Sequence, residues 1–306
     1  MFQADPRRSP GLGTLPTDWL DGPMLQSALR KALASDDLGL LYGEPAGDAR
    51  LRQALAQRMA DIGVACAPTQ IVTTVGATNA LDLITRTLMQ PGETVMVDDP
   101  GWAIEYARLT QAGMRLLPVP RGADGPDLAV MARLVEQHRP RFYVTVSVLH
   151  NPTGHSLSAA QSHQVLKLAE AGDFRIVEDD SYALLAPNHA PRLSTLDGLR
   201  RTIYVSGFSK ILTPAWRVGF VAANEDTVRQ LTELKLLSTL TTPPLPERAV
   251  ALCLEQGLLR RHAERPAWSA GSTSAPTAAS SRSTCSMKAG RPRPACCSAR
   301  RGSRVR

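Results

Sequence analysis

Acidic residues run out before the chain does. None of the 28 Asp and Glu follows Glu264, whereas the last 42 residues, Arg265 to Arg306, carry eight arginines and Lys288. The chain holds 35 Lys and Arg in all, so residues 1–264 have 26 basic against 28 acidic groups, a net charge of −2. The overall +7 therefore belongs to the final segment and is no argument for nucleic-acid binding by the preceding body. Cysteine is also scarce, with five residues and no CxxC or Cys/His ligand spacing, which argues against a zinc site and a disulfide framework. Long apolar runs are missing, so no spanning helix is expected. Met1 to Pro10 is polar and has no apolar core of a secretory signal, so a cytoplasmic protein is expected. Proline in Asn151-Pro152-Thr153 rules out a glycosylation sequon.

What remains is ample for a core. Apolar residues make up 43% and charged residues 21% of 306 positions, which excludes global disorder. Residues 1–40 read as an irregular Pro/Gly/Asp-rich arm followed by a first helix, with Met24, Leu25, Ala28, Leu29, Ala32 and Leu33 on one face. Residues 41–47 are loop chemistry, and Asp48 is placed to cap a helix with a stripe of Leu51, Ala54, Leu55 and Met59. Strands are expected over 71–75, 94–97, 115–119, 141–148, 175–178, 202–205 and 218–222. Helices are expected between them over 79–89, 103–111, 128–137 and 159–171. Strands apolar on both faces, alternating with helices, predict an α/β fold with a mostly parallel sheet between helix layers. Two further helices, over 227–237 and 247–259, are expected to leave the sheet. From Arg265 onward there is no Leu, Ile or Phe. Such a segment is expected to be a disordered basic tail or, as the abrupt shift to Arg, Ser, Ala and Pro suits, an out-of-frame reading of a GC-rich gene.

Several turns carry chemistry. Ser206-Gly207-Phe208-Ser209-Lys210 follows a strand, and Arg217 stands seven residues after the lysine. A partly desolvated lysine amine forms Schiff bases with carbonyls, and a guanidinium beside a serine hydroxyl suits a phosphate. Glu178-Asp179-Asp180-Ser181-Tyr182 puts acids at a strand's C-terminal end, where ligands of α/β sheets bind. There a carboxylate can keep a pyridine nitrogen protonated. His150-Asn151-Pro152-Thr153-Gly154 fixes an amide in a turn, and Gly76-Ala77-Thr78-Asn79 joins a strand to a helix N-terminus, a ready phosphate site. Asp99-Pro100-Gly101-Trp102 offers an indole to stack on a planar ring. Taken singly, each has an ordinary alternative: a surface lysine, a capping aspartate, a plain turn, a rim tryptophan.

Together, and in this order, the five segments resemble the class I/II pyridoxal-phosphate aminotransferases of fold type I, over about residues 20–260. The resemblance implies the large domain of that fold in residues 41–264, with pyridoxal 5'-phosphate as cofactor. It makes Lys210 the Schiff-base lysine and proton carrier, and Asp179 the partner of the pyridine nitrogen. Asn151 and Tyr182 become donors to the ring oxygen, and Trp102 the stacking face. Gly76, Ala77, Thr78, Ser209 and Arg217 form the phosphate site. Tyr42, in a Tyr-x-x-x-x-Gly stretch, is similar to a tyrosine that reaches the phosphate across a dimer interface, so a homodimer is implied. Gly207 departs from the family, many members of which have a hydroxyl there.

The stretches 41–55 and 144–158 look most like the aminotransferase-like domain of MocR-type regulators in the GntR superfamily. In those proteins a winged-helix DNA-binding domain precedes this one, and here none does; both ends are therefore expected to be missing. The family's small C-terminal domain, with the arginine that clamps a substrate carboxylate, would fall beyond residue 264 and is expected to be absent. Two functions follow. One is amino-group transfer between an amino acid and a 2-oxo acid. The other is a cofactor-binding effector domain without its DNA-binding part. Neither implies contact with nucleic acid or membrane by this chain itself.

Overall fold

The computed structural model of the protein describes residues 19–34 and 41–264. The expected arm before residue 19 and the expected tail from Arg265 lie outside the described residues.

Short β-branched runs between glycine and polar turns make the strands. These are β1 (Ile71–Thr74), β2 (Thr94–Asp99), β3 (Arg115–Gly122), β4 (Gly125–Pro126), β5 (Phe142–Thr145), β6 (Arg175–Asp179), β7 (Thr202–Gly207) and β8 (Gly219–Ala222). They form one sheet in the order β1-β8-β7-β6-β5-β2-β3-β4. The pairs from β3 through β2, β5 and β6 to β7 are parallel. Strand β8 runs antiparallel to both β7 and β1, and β4 closes a two-residue hairpin on β3. Parallel strands end at the same edge, so the loops after β2, β5, β6 and β7 emerge side by side; β1 runs with them, and the chain re-enters the sheet from this edge at β8.

Alternation along each strand sorts the core. Val72, Val97, Val144, Val177, Val205 and Val221 face one side and are buried with apolar residues of α3 (Gly76–Leu88), α4 (Ala103–Gln111) and α8 (Glu225–Ser238). On the other side, Ile71, Tyr204 and Phe220 pack under α1 (Gly22–Leu33), α2 (Ala49–Asp61) and α9 (Pro244–Glu255). Met96, Tyr143 and Ile176 continue that face beneath α5 (Leu128–His138) and α6 (Ala159–Ala171). Each such side chain taken fully from water contributes about 1.5–3 kcal/mol before chain entropy is set against it.

The helices expected over 103–111 and 159–171 are α4 and α6, within the same bounds. The Asp48 side chain caps α2 by accepting from the Leu51 amide at 2.8 Å. Three expectations need correction. Helix α3 begins at Gly76, before Asn79, because the Asn79 amide oxygen accepts from the Val75 N–H at 3.0 Å and frees the first turn to wind earlier. Strand β5 stops at Thr145, where its pairing with β6 ends at Glu178. The last two helices do not leave the sheet. Val228 and Leu231 of α8 lie in the core on one face, and Ala249, Val250 and Cys253 of α9 lie in the core on the other. The second of them also breaks at Gly257, whose left-handed φ of +61° starts the short α10 (Leu258–Ala263).

Candidate active site

The loop after β7 carries the lysine. Phe208, Ile211 and Leu212 are buried, and the Leu212 amide bonds back to the Phe208 carbonyl at 2.9 Å. With three apolar anchors in five residues, Lys210 is held half-buried at the sheet edge. Its Nζ stands 6.0 Å from the centroid of the Tyr182 ring. Burial lowers the pKa of this amine; the Asp179 carboxylate opposes that and the Arg217 guanidinium reinforces it. Lys210, Asp179, Tyr182 and Arg217 are thus within mutual reach, although up to 38 residues separate them in the chain.

Strand parity separates the acids of β6. Glu178 and Asp180 point to one face, where each is fully buried and bonded. Glu178 accepts from the Leu193 and Ser194 amides at 2.7 and 2.8 Å and from the Ser194 hydroxyl at 2.5 Å. Asp180 meets Arg192 Nε at 2.5 Å and the Tyr204 hydroxyl at 2.9 Å. Asp179 points to the opposite face. Its Oδ1 accepts from the Ser181 amide at 3.0 Å and hydroxyl at 2.6 Å. Among the described residues no cation is paired with it, and burial pushes its pKa up to about 6. A half-buried carboxylate lacking a positive partner suits a protonated ring nitrogen. Burial, with Asp179 adding to it, also raises the Tyr182 phenol, keeping that hydroxyl a donor.

The N-terminus of α3 forms an anion cradle. No side chain caps this helix, so its first N–H groups are open. Gly76 has φ +79°, and a Cβ there would stand 2.7 Å from Arg217 Nη2. Glycine is what lets the guanidinium lie against the turn; Arg217 Nη2 also donates to the Val75 carbonyl at 3.2 Å. Gly219 admits the same helix to the sheet, since a Cβ on it would fall 2.6 Å from the Gly76 carbonyl carbon. Arg217 itself is left-handed at φ +51°, a conformation that costs a non-glycine residue about 1–2 kcal/mol and aims its side chain here. A Cβ on Gly207 would lie 3.6 Å from the Ala77 nitrogen, so the position without a hydroxyl does border this cradle.

At the ends of β2, β5 and β6 opens a cleft walled by Leu81 of α3, Trp102, Val144, Asn151 and Asp179, with Asp98, Thr145 and His150 at its base. The structure therefore places Trp102, Asn151 and Asp179 around one space, and Lys210, Tyr182, Gly76 and Arg217 beside it. Ala77 and Thr78 follow in the first turn of α3, and Ser209 adjoins Lys210. Tyr42 is the exception. It is 85% exposed, on a loop whose Gly43 lies against Thr242, and it lines no part of this cleft.

Sequence reasoning missed the floor. Asp98 is buried and accepts from Tyr143 at 2.5 Å, Thr145 at 2.7 Å and Arg121 at 3.0 Å, with His150 Nε2 at 3.4 Å. Burial would raise its pKa, but the His150 hydrogen bond and the Arg121 charge outweigh that and hold it below the usual range. Strand parity at Asp98-Asp99 was the available signal, since only one of the pair can face inward. Among the described residues no group of three His, Cys, Asp or Glu is arranged for a metal, and no helix is long and apolar enough to cross a membrane.

Residues 12–265 match the model of the family described as aminotransferase class I and II. The chain is 32% identical over 244 residues to 2-aminoadipate transaminase of Thermus thermophilus, covering 77% of this chain and 59% of that one. It is also 32% identical over 212 residues to the HTH-type transcriptional regulator TauR of Rhodobacter capsulatus, covering 68% and 41%. Among solved structures, LysN, the α-aminoadipate aminotransferase of Thermus thermophilus complexed with N-(5'-phosphopyridoxyl)-L-leucine, superposes with a TM-score of 0.75 at 26% identity. That match covers 82% of this chain and 66% of LysN. The chain spans about half the length of the curated relatives it matches. The fold is that of the fold type I pyridoxal-phosphate aminotransferases, and the cofactor of this family, pyridoxal 5'-phosphate, fits the residues present. An uncapped helix and guanidinium would suit its phosphate, a carboxylate without a paired cation its ring nitrogen, and a lysine amine of lowered pKa its aldehyde.

Proposed function

The chain belongs to the aminotransferase class I and II family, and on that premise we propose that it transfers an amino group between an amino acid and a 2-oxo acid. The observation that carries this reading is the convergence of Lys210, Asp179 and Arg217 at one sheet edge. When bound, pyridoxal phosphate supplies an electron sink for the charge left at an amino acid's Cα. The rest is the work of this chain. Asp179 would hold the ring nitrogen protonated through a charge-assisted hydrogen bond, and the ring cation would in turn favour the ionised carboxylate that burial disfavours. Lys210 would bind the cofactor's aldehyde and, as a free amine, would carry the substrate's Cα proton to the former aldehyde carbon. Burial favours its neutral, basic form for that task.

Asn151 and Tyr182 donate to the ring oxygen, and Trp102 covers one ring face. The amides at Gly76, Ala77 and Thr78, the Ser209 hydroxyl and Arg217 anchor the phosphate. Tyr42, exposed here, would serve the phosphate of a second copy in a homodimer.

The test begins with the protein loaded with cofactor and reduced with borohydride. Peptide mapping is expected to find the label on Lys210; a label on another lysine, or none, refutes the site. Adding amino acids should then convert the bound cofactor's absorption and release 2-oxo acid. A second reading has its own support, since the regulator TauR shares the same 32% identity, over 212 residues against 244 for the transaminase. In it the same site binds cofactor and an amino compound to shift a conformational equilibrium. Label on Lys210 with no 2-oxo acid released would favour that reading.

A further inference from the structure

The His150–Gly154 turn is tied to the floor of the cleft through one ring. His150 is buried, and each of its nitrogens has a partner. Nε2 faces Asp98 Oδ2 at 3.4 Å, and Nδ1 meets the Thr153 hydroxyl at 2.9 Å. Its backbone is closed as well, with the His150 amide donating to the His155 carbonyl at 2.9 Å and the Gly154 amide donating to the His150 carbonyl at 2.6 Å. Asp98 in turn is fixed from two strands: Tyr143 and Thr145 on β5, and Arg121 on β3. The charged and titratable groups facing His150 are thus Asp98 directly, and Arg121 and Tyr143 through it. Asn151 is the next residue after this clamped ring, and it lines the cleft.

We propose that His150, clamped between Asp98 and Thr153, is the positioning residue that aims the Asn151 amide at the ring oxygen of the bound cofactor. The inference rests on the reading of Asn151 given above. A hydrogen bond between fixed partners is strong because its geometry is set before binding. With His150 free to rotate, the Asn151 side chain would sample orientations that miss the ring oxygen. The amide stabilises that oxygen's anionic form, so a weakened bond lets the protonated chromophore persist to higher pH.

The experiment reads the pH midpoint between the two visible absorption bands of the cofactor-loaded protein, a quantity that a change in overall stability does not move. Four variants are compared: Asn151→Ala, His150→Ala, Thr153→Val and Thr153→Ser. Expected are upward shifts of about half a unit to one unit in the first three and the parental midpoint in Thr153→Ser. If His150→Ala does not fold, Thr153→Val decides, since it removes one hydroxyl and keeps the shape. A shift in Asn151→Ala with parental midpoints in His150→Ala and Thr153→Val overturns the positioning role and leaves the site intact. No shift in Asn151→Ala overturns both. Lower melting temperatures with unchanged midpoints in His150→Ala and Thr153→Val would make the clamp structural only, and also refute the proposal.

Discussion

Replacing Asp179 with asparagine should stabilise the cofactor-free protein while harming the cofactor-bound one. The carboxyl titrates at about 6 in the folded chain against 3.8 for the free group, because burial is not offset by a cation. A raised carboxyl favours the folded state only while protonated. That contribution is present below about pH 4 and is lost as the pH rises through about 6. The span of about two pH units corresponds to ~3 kcal/mol at 1.36 kcal/mol per unit. Asp179 is only partly shielded from solvent, and screening discounts that figure to ~2 kcal/mol. Asparagine keeps an oxygen for the Ser181 amide and hydroxyl, which now bond Oδ1, so little else changes. In a domain of this size that gain is about 4–8 °C in Tm. Thermal melts without cofactor should therefore show Asp179→Asn above the parent at pH 8 and close to it at pH 4. With saturating pyridoxal phosphate the order should reverse, because the asparagine cannot hold the ring nitrogen protonated. A variant that melts at or below the parent at pH 8 without cofactor would refute the claim that this carboxylate lacks a partner.

Other substitutions probe the frame around it. Gly76→Ala puts a methyl 2.7 Å from Arg217 Nη2 at a φ of +79°. It should weaken cofactor binding at least about tenfold and lower stability by about 1–2 kcal/mol, and unchanged affinity in a fluorescence titration would remove the cradle. Arg192→Leu strands the fully buried Asp180 that now meets Arg192 at 2.5 Å. The expected loss in urea unfolding is about 3–5 kcal/mol, and a change below about 1 kcal/mol would show the pair to be dispensable. Gly47→Ala would set a Cβ 1.9 Å from Thr73 Oγ1 at φ +102°. Urea unfolding should show a loss of about 1–3 kcal/mol, and parental stability would mean that the 41–47 loop is not held against β1 as described.

Much of the scaffold was legible because it is local. Continuous β-branched runs such as residues 71–74 and helical stripes such as Leu51, Leu55 and Met59 need no partner to be seen. The site residues were legible for a different reason: each sits in a turn directly after a strand, and parallel pairing brings such turns to one edge. What stayed hidden depends on contacts across the chain. Asp98 finds Arg121, Tyr143, Thr145 and His150 at separations of 23 to 52 residues. Strand parity says that Asp98 and Asp99 point to opposite faces, but nothing in the local sequence says which of them meets these partners. The return of α8 and α9 to the sheet was likewise invisible, because an apolar stripe says that a face is buried and not against what.

Parity decides which acid serves the cofactor. Val177 packs with Val97, Val144 and Val205 on the face that opens into the cleft, and Asp179, two residues on, shares that direction. Ile176 belongs to the opposite face, and so do Glu178 and Asp180, with their protein partners. A slip of β6 by one residue against β5 and β7 would turn Asp179 into the Arg192 side and bring Glu178 or Asp180 to the cleft. The five donors (the Ser147, Ser194 and Tyr204 hydroxyls and the Leu193 and Ser194 amides) and the guanidinium that hold Glu178 and Asp180 oppose such a slip. These two buried acids thus set the place of Asp179: by fixing the register of β6, they hold one carboxylate without a paired cation at the cleft, where the cofactor's cationic ring would meet it.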